Sequence, residues 1–199
     1  MHKLRKEVSE SWAILSAIQQ TCHQLNLSSD MSQIMVVDLC SGKCLTTTLL
    51  SILYPKGKFL AVDKLPEQMV PHCAKSHATI LQRGSNSSPI NRWYLSRDIR
   101  SKIFVHDLER YIRSHCYYPD DIPSANQQSQ KLCRVAFLVG MHLCGHLSSR
   151  AIEIFEKISQ ISALILSPCC LPRAEDRIDV VWLRRLMTLT IADPRKIVT

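Results

Sequence analysis

The sequence predicts an α/β domain in which a mostly parallel sheet lies between two layers of helices. Short apolar, β-branched runs alternate with segments of helical periodicity along most of the 199 residues. The runs are nearly continuous in their apolar character, as in strands that are buried on both faces. With 46% hydrophobic and 21% charged residues, the chain has enough apolar material for one core.

The predicted elements follow one another in a regular order. Residues 4–25 are expected to form an amphipathic helix, because apolar side chains recur there at three- and four-residue steps. Strands are predicted near residues 34–39, 58–63, 93–95, 135–140 and 161–166. Helices are predicted near residues 44–54, 65–75, 103–112, 147–158 and 177–189. Such alternation indicates right-handed βαβ units, whose ligands bind beyond the carboxyl ends of the strands.

The net charge, the lengths of the apolar runs and the number of cysteines restrict the expected partners and cellular location of the chain. A formal charge of +8 favours polyanions such as RNA, although an ordinary basic surface accounts for it equally well. The sequence has no apolar run near the ~18–20 residues of a membrane span, so no membrane association is expected. Nine cysteines in 199 residues are too few for a disulfide scaffold, which indicates reduced thiols and a cytoplasmic or nuclear location.

A turn after the first strand and two carboxylates at the ends of the first two strands predict a ligand site. Gly42 lies in the first turn, where a Cβ would obstruct the approach of a ligand to the backbone. Asp63 follows 21 positions later, where an acid can accept hydrogen bonds from ribose hydroxyls. Asp38 suits a ligand with a cationic amino-acid end. S-adenosylmethionine has both groups, although a generic strand–turn–helix with acids at its polar ends also fits these residues.

Around this turn the sequence resembles the class I methyltransferases. VVDLCSGKC at residues 36–44 is similar to their motif I and closest to the group whose loop reads DxCSGKG. AVDK at residues 61–64 is similar to the next motif, and SRDI at residues 96–99 to the third, where an Asp lies beside the adenine. The resemblance implies a Rossmann-like three-layer sandwich that binds S-adenosylmethionine. The implied cofactor-binding residues are Asp38, Cys40, Ser41, Gly42, Asp63, Lys64, Asp98, Ile99 and His142.

Two later turns narrow the resemblance to one branch. GMHLCGH at residues 140–146 follows the fourth strand, and LSPCC at residues 166–170 follows the fifth. The His-x-Cys-Gly and Cys-Cys motifs are similar to a branch that includes the tRNA 2′-O-methyltransferases of the acceptor stem. The resemblance covers roughly residues 34–172. It implies a methyltransferase with RNA, and tRNA in particular, as the favoured acceptor, while protein and small molecules stay open.

Two departures from the family pattern leave an alternative open. The last glycine of the motif I loop is Cys44 here, which puts a Cβ where helix and strand pack closely. Family members usually have seven strands, and after residue 170 we find only a helix and the short run 195–199. The C-terminal strand pair is therefore expected to be missing or to lie outside this sequence, and an incomplete sheet edge would cost stability or need a protein partner. The alternative is a catalytically lapsed binding or interaction module of the same fold.

We accordingly divide the chain into two parts. Residues 1–30 are an N-terminal helical segment that packs on the core, and residues 31–199 are the S-adenosylmethionine-dependent methyltransferase domain, with its C-terminal end expected to be incomplete.

Three side chains beyond the fourth and fifth strands are candidates for catalysis: His142, Cys144 and Cys169. His142 titrates near neutrality and can serve as a base or orient its own loop. Cys169 can act as a thiolate that adds to C6 of a pyrimidine, or it can shape its turn as Cys144 does. A zinc site that also used His146 and Cys170 lacks a second ligand pair at zinc spacing, so no metal is expected.

Overall fold

The computed structural model describes residues 2–70, 91–116, 133–167 and 189–192. The helices are α1 (His2–Gln24), α2 (Leu45–Leu53), α3 (Phe104–His115) and α4 (His146–Lys157). The strands are β1 (Ile34–Leu39), β2 (Lys58–Asp63), β3 (Arg92–Ser96), β4 (Val135–Met141), β5 (Ile161–Ser167) and β6 (Leu189–Ala192). Within the described ranges, no helix is long and apolar enough to cross a membrane.

The six strands form one sheet in the order β3-β2-β1-β4-β5-β6. The first five are parallel, and β6 runs antiparallel to β5. Helices cover both faces, which confirms the predicted Rossmann-like sandwich with a mostly parallel sheet.

The expectation that no strand follows β5 is wrong, because one further strand, β6, pairs with β5. In β6, Leu189 pairs with Leu166 and Ala192 with Ala163. These four residues, of which the first ends a predicted helix, carry too little periodicity to be recognised as a strand. The rest of that predicted helix, residues 177–188, and the run 195–199 lie outside the described residues. Because β6 pairs with β5, β5 is not an open edge, and the sheet has at least one of the two expected C-terminal strands.

Two further expectations differ from the structure. In the predicted helix over residues 65–75, the described part contains a single 3₁₀ turn at Glu67–Met69, while residues 71–75 lie outside the described ranges. The predicted apolar stripe of α1 is also rotated, because Trp12 is 61% exposed whereas Ser11 is buried. Ser11 takes the inward position since its hydroxyl lies 2.9 Å from that of Thr46 on α2.

The core lies on both faces of the sheet, and the alternation of β1 side chains divides it. Met35, Val37 and Leu39 pack with apolar side chains of α3 and α4. Ile34 and Val36 pack on the other face with side chains of α1 and α2. This arrangement explains why all six residues of β1 are buried.

The strand register brings the carboxyl ends of β1, β2 and β4 to one level. Leu39 pairs with Val62 of β2 on one side and with Gly140 of β4 on the other. The chain leaves β1 toward β2 and later returns to its other side as β4, so the strand order reverses between β1 and β4. A crevice opens at such a point in open α/β sheets, and ligands bind there.

Candidate functional site

A cavity of about 290 Å³ lies at the carboxyl ends of β1 and β4. Its lining comes from β1 and the loop after it, from the start of α2, from the end of β4 and from α1. The lining residues are Glu7, Glu10, Ser11, Asp38, Cys40, Ser41, Gly42, Lys43, Leu45, Thr46, Met141 and His142. Five of the predicted site residues are among them: Asp38, Cys40, Ser41, Gly42 and His142.

The loop after β1 is held by left-handed backbone conformations and by hydrogen bonds to the end of β2. Cys40, Gly42 and Cys44 all have positive φ angles, between 53° and 58°. The N–H of Ser41 donates to the carbonyl of Val62 at 2.9 Å, and the N–H of Gly42 donates to Oδ2 of Asp63 at 3.0 Å. The loop is therefore fixed in place by the strand that carries the predicted ribose acid.

Asp63 itself is positioned by two backbone groups. Its Oδ2 accepts from Gly42, and its Oδ1 accepts from the N–H of Leu65 at 3.1 Å. A carboxylate has about four lone-pair sites, so two more hydrogen bonds can be accepted from a ligand. Asp63 lies beside the cavity rather than in its lining, and it links the loop to β2.

Asp38 is a buried acid whose charge responds to its surroundings. It is 4% exposed, and the hydroxyl of Thr47 donates to its Oδ2 at 2.7 Å. Burial, with Asp63 nearby, raises the pKa of Asp38 to about 7, against the lowering effect of the Thr47 hydrogen bond. A cationic group that enters the cavity would favour the ionised form of Asp38.

Cys44 is accommodated without obstructing the cavity. It caps the N-terminus of α2 with φ 58° and ψ 25°, which explains why a glycine suits this position. Its side chain is fully buried and packs with Ala61 and Val70. Cys44 is absent from the cavity lining, so its Cβ does not occupy the space that a ligand would use.

Asp98, the acid predicted to lie beside the adenine, forms an ion pair with Arg100. Asp98 accepts hydrogen bonds from the guanidinium of Arg100, the shortest at 2.6 Å, and from the N–H of the same residue. These bonds lower the pKa of Asp98 to about 2. Ile99 is buried in the core, and its carbonyl accepts from Arg150 at 2.8 Å. Lys64 is exposed and close enough to contribute to the low pKa of Asp98.

The turn after β4 holds His142 in a left-handed conformation, with φ 60°. This conformation is uncommon for residues that carry a side chain. The N–H of His142 donates to the carbonyl of Ser167 at 2.9 Å, and its Nε2 lies 3.0 Å from Oε2 of Glu10. Gly145 ends the turn with φ 58° and ψ −132°, a conformation open almost only to glycine, and it caps α4. Cys144 lies in this turn, half-buried.

Helix α1 supplies one wall of the cavity, which sequence reasoning missed. Besides the contact between Glu10 and His142, Oε1 of Glu7 accepts from Nζ of Lys43 at 2.8 Å. Ser11 meets Thr46, as described above. Residues 7, 10 and 11 share one face of a helix, so their polar character on a mostly apolar face was the available signal.

The structure supports no metal centre in the part of the chain that it describes. No group of three or more His, Cys, Asp or Glu side chains is arranged there to hold an ion. Burial and the nearby acids raise the pKa of Cys40 to about 11, so this thiol is protonated at neutral pH. Cys169 and Cys170 lie outside the described residues, so the role of Cys169 in catalysis stays a prediction.

The arrangement fits a nucleoside that carries a cationic amino-acid end. A glycine with a left-handed backbone lines the cavity, a carboxylate with spare acceptor sites ends β2, and β1 carries a buried acid whose charge responds to its surroundings. The N–H groups of Ser41, Gly42 and Cys44 all donate to protein acceptors, whereas a phosphate-binding loop directs such groups at its ligand. S-adenosylmethionine, which has no phosphate, matches these groups.

Several known proteins are similar to this chain. A family model described as a methyltransferase domain matches residues 3–175. No curated protein matches the sequence. Solved structures with low similarity include a chain of the fibrillarin/Nop5p complex, with 12% identity and a TM-score of 0.40 over 78% of this chain and 61% of that one. Another is the precorrin-6Y C5,15-methyltransferase of Geobacter metallireducens, with 15% identity and a TM-score of 0.38 over 73% and 57%.

A third is a SAM-dependent methyltransferase of Agrobacterium tumefaciens, with 11% identity and a TM-score of 0.41 over 77% of this chain and 42% of that one. The chain thus spans less than two thirds of the length of these three structures. The family match covers most of the sequence, and it includes α1 as well as the sheet from β1 to β5. The chain belongs to the methyltransferase-domain family, and its cofactor is S-adenosylmethionine.

Proposed function

We propose that the chain transfers the methyl group of S-adenosylmethionine to RNA, with tRNA as the favoured substrate. The observation that supports the cofactor site is the hydrogen bond from Gly42 to Asp63, which joins the loop after β1 to the acid that ends β2. Two further inferences from the sequence belong to this proposal. One is that the chain works in the cytoplasm or nucleus, and the other is that a domain boundary lies near residue 30.

We assign the cofactor to the crevice between β1 and β4. In this assignment the ribose hydroxyls donate to the free lone pairs of Asp63, and the backbone of Ser41 and Gly42 lies against the nucleoside. The amino-acid end lies near Asp38, which is ionised when a cation is close. Lys43 and Glu7 form an exposed ion pair at the cavity, and such a pair can exchange partners with the carboxylate and ammonium of an amino acid.

Whether Asp98 contacts the adenine in this assignment depends on Arg100. Both of its oxygens are engaged by Arg100. A contact from Asp98 to the adenine therefore requires that the carboxylate share its acceptor sites or that Arg100 turn away. Arg100 is 54% exposed, so solvent can replace the guanidinium at low cost.

We assign the role of general base to His142. S-adenosylmethionine supplies a methyl group on a positively charged sulfur, so the protein has to align the acceptor and take up its proton. Glu10 accepts a hydrogen bond from Nε2–H of His142 in the tautomer that we infer, and in that tautomer Nδ1 is the basic nitrogen of the ring. Glu10 thereby fixes the ring and stabilises the imidazolium that forms.

The acceptor would enter over the turn at residues 142–145 and the segment at residues 167–170. RNA is favoured by charge, since the chain carries 25 Lys and Arg against 17 Asp and Glu. The segment from Arg97 to Arg113 contributes five of these cations against three carboxylates. Three of its arginines, Arg100, Arg110 and Arg113, have more than half of the side chain exposed. Of the three, Arg100 lies just beyond the carboxyl end of β3, on the same side of the sheet as the cofactor crevice, and it can exchange Asp98 for an RNA phosphate.

The alternative, a binding module that has lost its activity, is not favoured. Cys44 packs into the core and leaves the cavity open. β6 supplies one of the strands whose expected absence motivated that alternative. A protein partner at the remaining edge of the sheet stays a prediction.

The test is methyl transfer from labelled S-adenosylmethionine to total RNA and to total protein, run in parallel with the full chain. We expect label in RNA, concentrated in the tRNA fraction. Asp63→Ala should abolish the signal, and Asp30→Ala should retain it, because Asp30 also accepts a backbone hydrogen bond but lies outside the site. Label in protein alone would refute the RNA assignment. Label in neither fraction, with the cofactor bound, would refute turnover.

A further inference from the structure

Two cysteines outside the cofactor site lie in contact with each other. Cys116 ends α3 as its C-cap, and Cys133 directly precedes the segment that leads into β4. Their backbones form an isolated parallel bridge, and their Sγ atoms are 2.6 Å apart. Both side chains are buried, with 1% and 0% exposure, and both are free thiols. The methyltransferase chemistry gives this pair no role.

The backbone geometry of this pair suits a covalent bond. Bridged strands lie about 4.8 Å apart, which falls within the range of Cα separations, about 4.4–6.8 Å, that a disulfide spans. The close approach of the sulfur atoms shows that the two side chains already point at each other. We propose that Cys116 and Cys133 are a modification site, at which a small peroxide oxidises the two thiols to a disulfide.

The electrostatic surroundings distinguish the two thiols. The hydrogen bond from Cys116, with the cation of Lys58 nearby, lowers the pKa of Cys133, whereas the same bond and burial raise the pKa of Cys116. Lys58 is held beside the pair because its Nζ donates to the carbonyl of His115 at 2.9 Å. In this proposal Cys133 is the thiol that the peroxide oxidises first, and Cys116 is the thiol that resolves it.

The two steps balance. The Cys133 thiolate attacks one oxygen of hydrogen peroxide, the O–O bond breaks, and the leaving hydroxide is protonated to water. Cys133 is then a sulfenic acid. The sulfur of Cys116 attacks the sulfur of Cys133, the S–O bond breaks, and the hydroxide leaves as water with the proton of Cys116. Two thiols lose two electrons in total, and one peroxide is reduced to two waters. A small neutral oxidant suits a pair with almost no exposed surface.

The location of the pair predicts what the bond does. Cys116 and Cys133 lie at the end of α3 and before β4, at the amino ends of the strands, whereas the cofactor loop lies at the carboxyl ends. The disulfide would close residues 117–132 into a loop and would restrict the unfolded chain. It should therefore raise thermal stability and leave cofactor affinity unchanged.

The experiment is a thiol map of the full, folded chain before and after exposure to hydrogen peroxide. Trypsin releases Cys116 in the peptide 114–131 and Cys133 in the peptide 132–134, and each peptide contains one cysteine. After peroxide, alkylation under denaturing conditions and digestion, we expect these two peptides joined, with a loss of two hydrogens. Cys22 is an internal control, because it is equally buried and burial raises its thiol pKa to about 11. Its peptide, residues 7–43, also contains Cys40, and both cysteines of that peptide should remain alkylated.

Stability gives a second readout. The oxidised chain should melt about 5 °C or more above the reduced chain, and dithiothreitol should reverse the shift. Cys116→Ala and Cys133→Ala should each remove the shift, whereas Cys22→Ala should keep it. Full alkylation of both peptides after peroxide, with native circular dichroism, would overturn the proposal. Pairing of either cysteine with a different cysteine would overturn it as well. The map of the unsubstituted chain decides the matter even if a variant fails to fold.

Discussion

The two sides of the crevice between β1 and β4 hold their functional groups in different ways. On the β1–β2 side, Asp63 and the loop at residues 40–44 are tied by hydrogen bonds between groups 21 positions apart. On the β4 side, the side chain of His142 meets Glu10 of α1, which is 132 positions away. The first arrangement is local to one βαβ unit, whereas the second depends on how α1 docks against the sheet.

This difference separates cofactor binding, on the β1–β2 side, from catalysis, on the β4 side. The β1–β2 side is positioned by backbone groups and should bind the cofactor wherever that unit is folded. The β4 side needs the tertiary contact with α1, so we expect catalysis to be more sensitive than cofactor binding to changes in α1. Each prediction below alters one side and asks whether the other responds.

The largest effect is expected at His142. Asn is the suitable replacement, because it tolerates the left-handed backbone. His142→Asn should lower the rate of methyl transfer about 100-fold or more, the usual contribution of a general base. Cofactor affinity, measured by calorimetry, should change less than about threefold. A rate near that of the unsubstituted chain would remove His142 from the chemistry.

Asp63→Ala should weaken cofactor binding about 100-fold, because the ribose loses a charged acceptor and the loop loses its tie to β2. Calorimetric titration with S-adenosylmethionine measures the affinity, and circular dichroism checks the fold. Asp30→Ala is the matched control and should bind normally. Equal affinities in the two variants would refute the assignment of Asp63 as the ribose acid.

Glu10→Ala should lower the rate of methyl transfer about tenfold, while Glu10→Gln should recover most of the loss, because the amide oxygen can still accept from Nε2–H. Neither change should alter cofactor affinity more than about threefold. Glu109→Ala, which removes an exposed ion pair on α3, is the control. If glutamine behaved like alanine, the orienting role of the hydrogen bond would be wrong.

The affinity for the cofactor should rise about tenfold from pH 6 to pH 8, since the pKa of Asp38 is raised to about 7 and the cation prefers the ionised acid. The stability of the fold depends on pH in the opposite direction. Because the folded pKa is raised, the stability contributed by Asp38 is present at low pH and is lost as pH rises through about 7. Asp38→Asn should flatten both profiles, and an unchanged slope would contradict the assignment.

The smallest effect is expected for Cys44→Gly. Glycine relieves a left-handed conformation that costs about 1–2 kcal/mol, but it adds backbone freedom and removes a buried side chain at a cost of about 1 kcal/mol. We expect a stability change below about 1 kcal/mol in chemical denaturation. Cofactor affinity should stay within about threefold. Binding that appeared only in the glycine variant would revive the interpretation as a lapsed module.

The sequence predicted the parts of the fold that local patterns determine. Five strands and the loop at Gly42 were recognisable because apolar runs and turn residues recur at regular spacing. β6 was missed, since a four-residue strand depends on pairing with β5 and not on its own pattern. The wall built from Glu7 and Glu10 was missed because helix periodicity does not show which sheet edge a helix reaches. The turn sets the backbone conformation of Cys44. The residue type alone therefore did not show that the side chain of Cys44 points away from the cavity.

The most direct test of the site is a crystal structure of the chain with S-adenosylhomocysteine. The assignment predicts ribose hydroxyls on the carboxylate of Asp63, the amino-acid end beside Asp38, and the sulfur facing the turn at His142. A ligand bound elsewhere, or a ribose with no contact to Asp63, would contradict it.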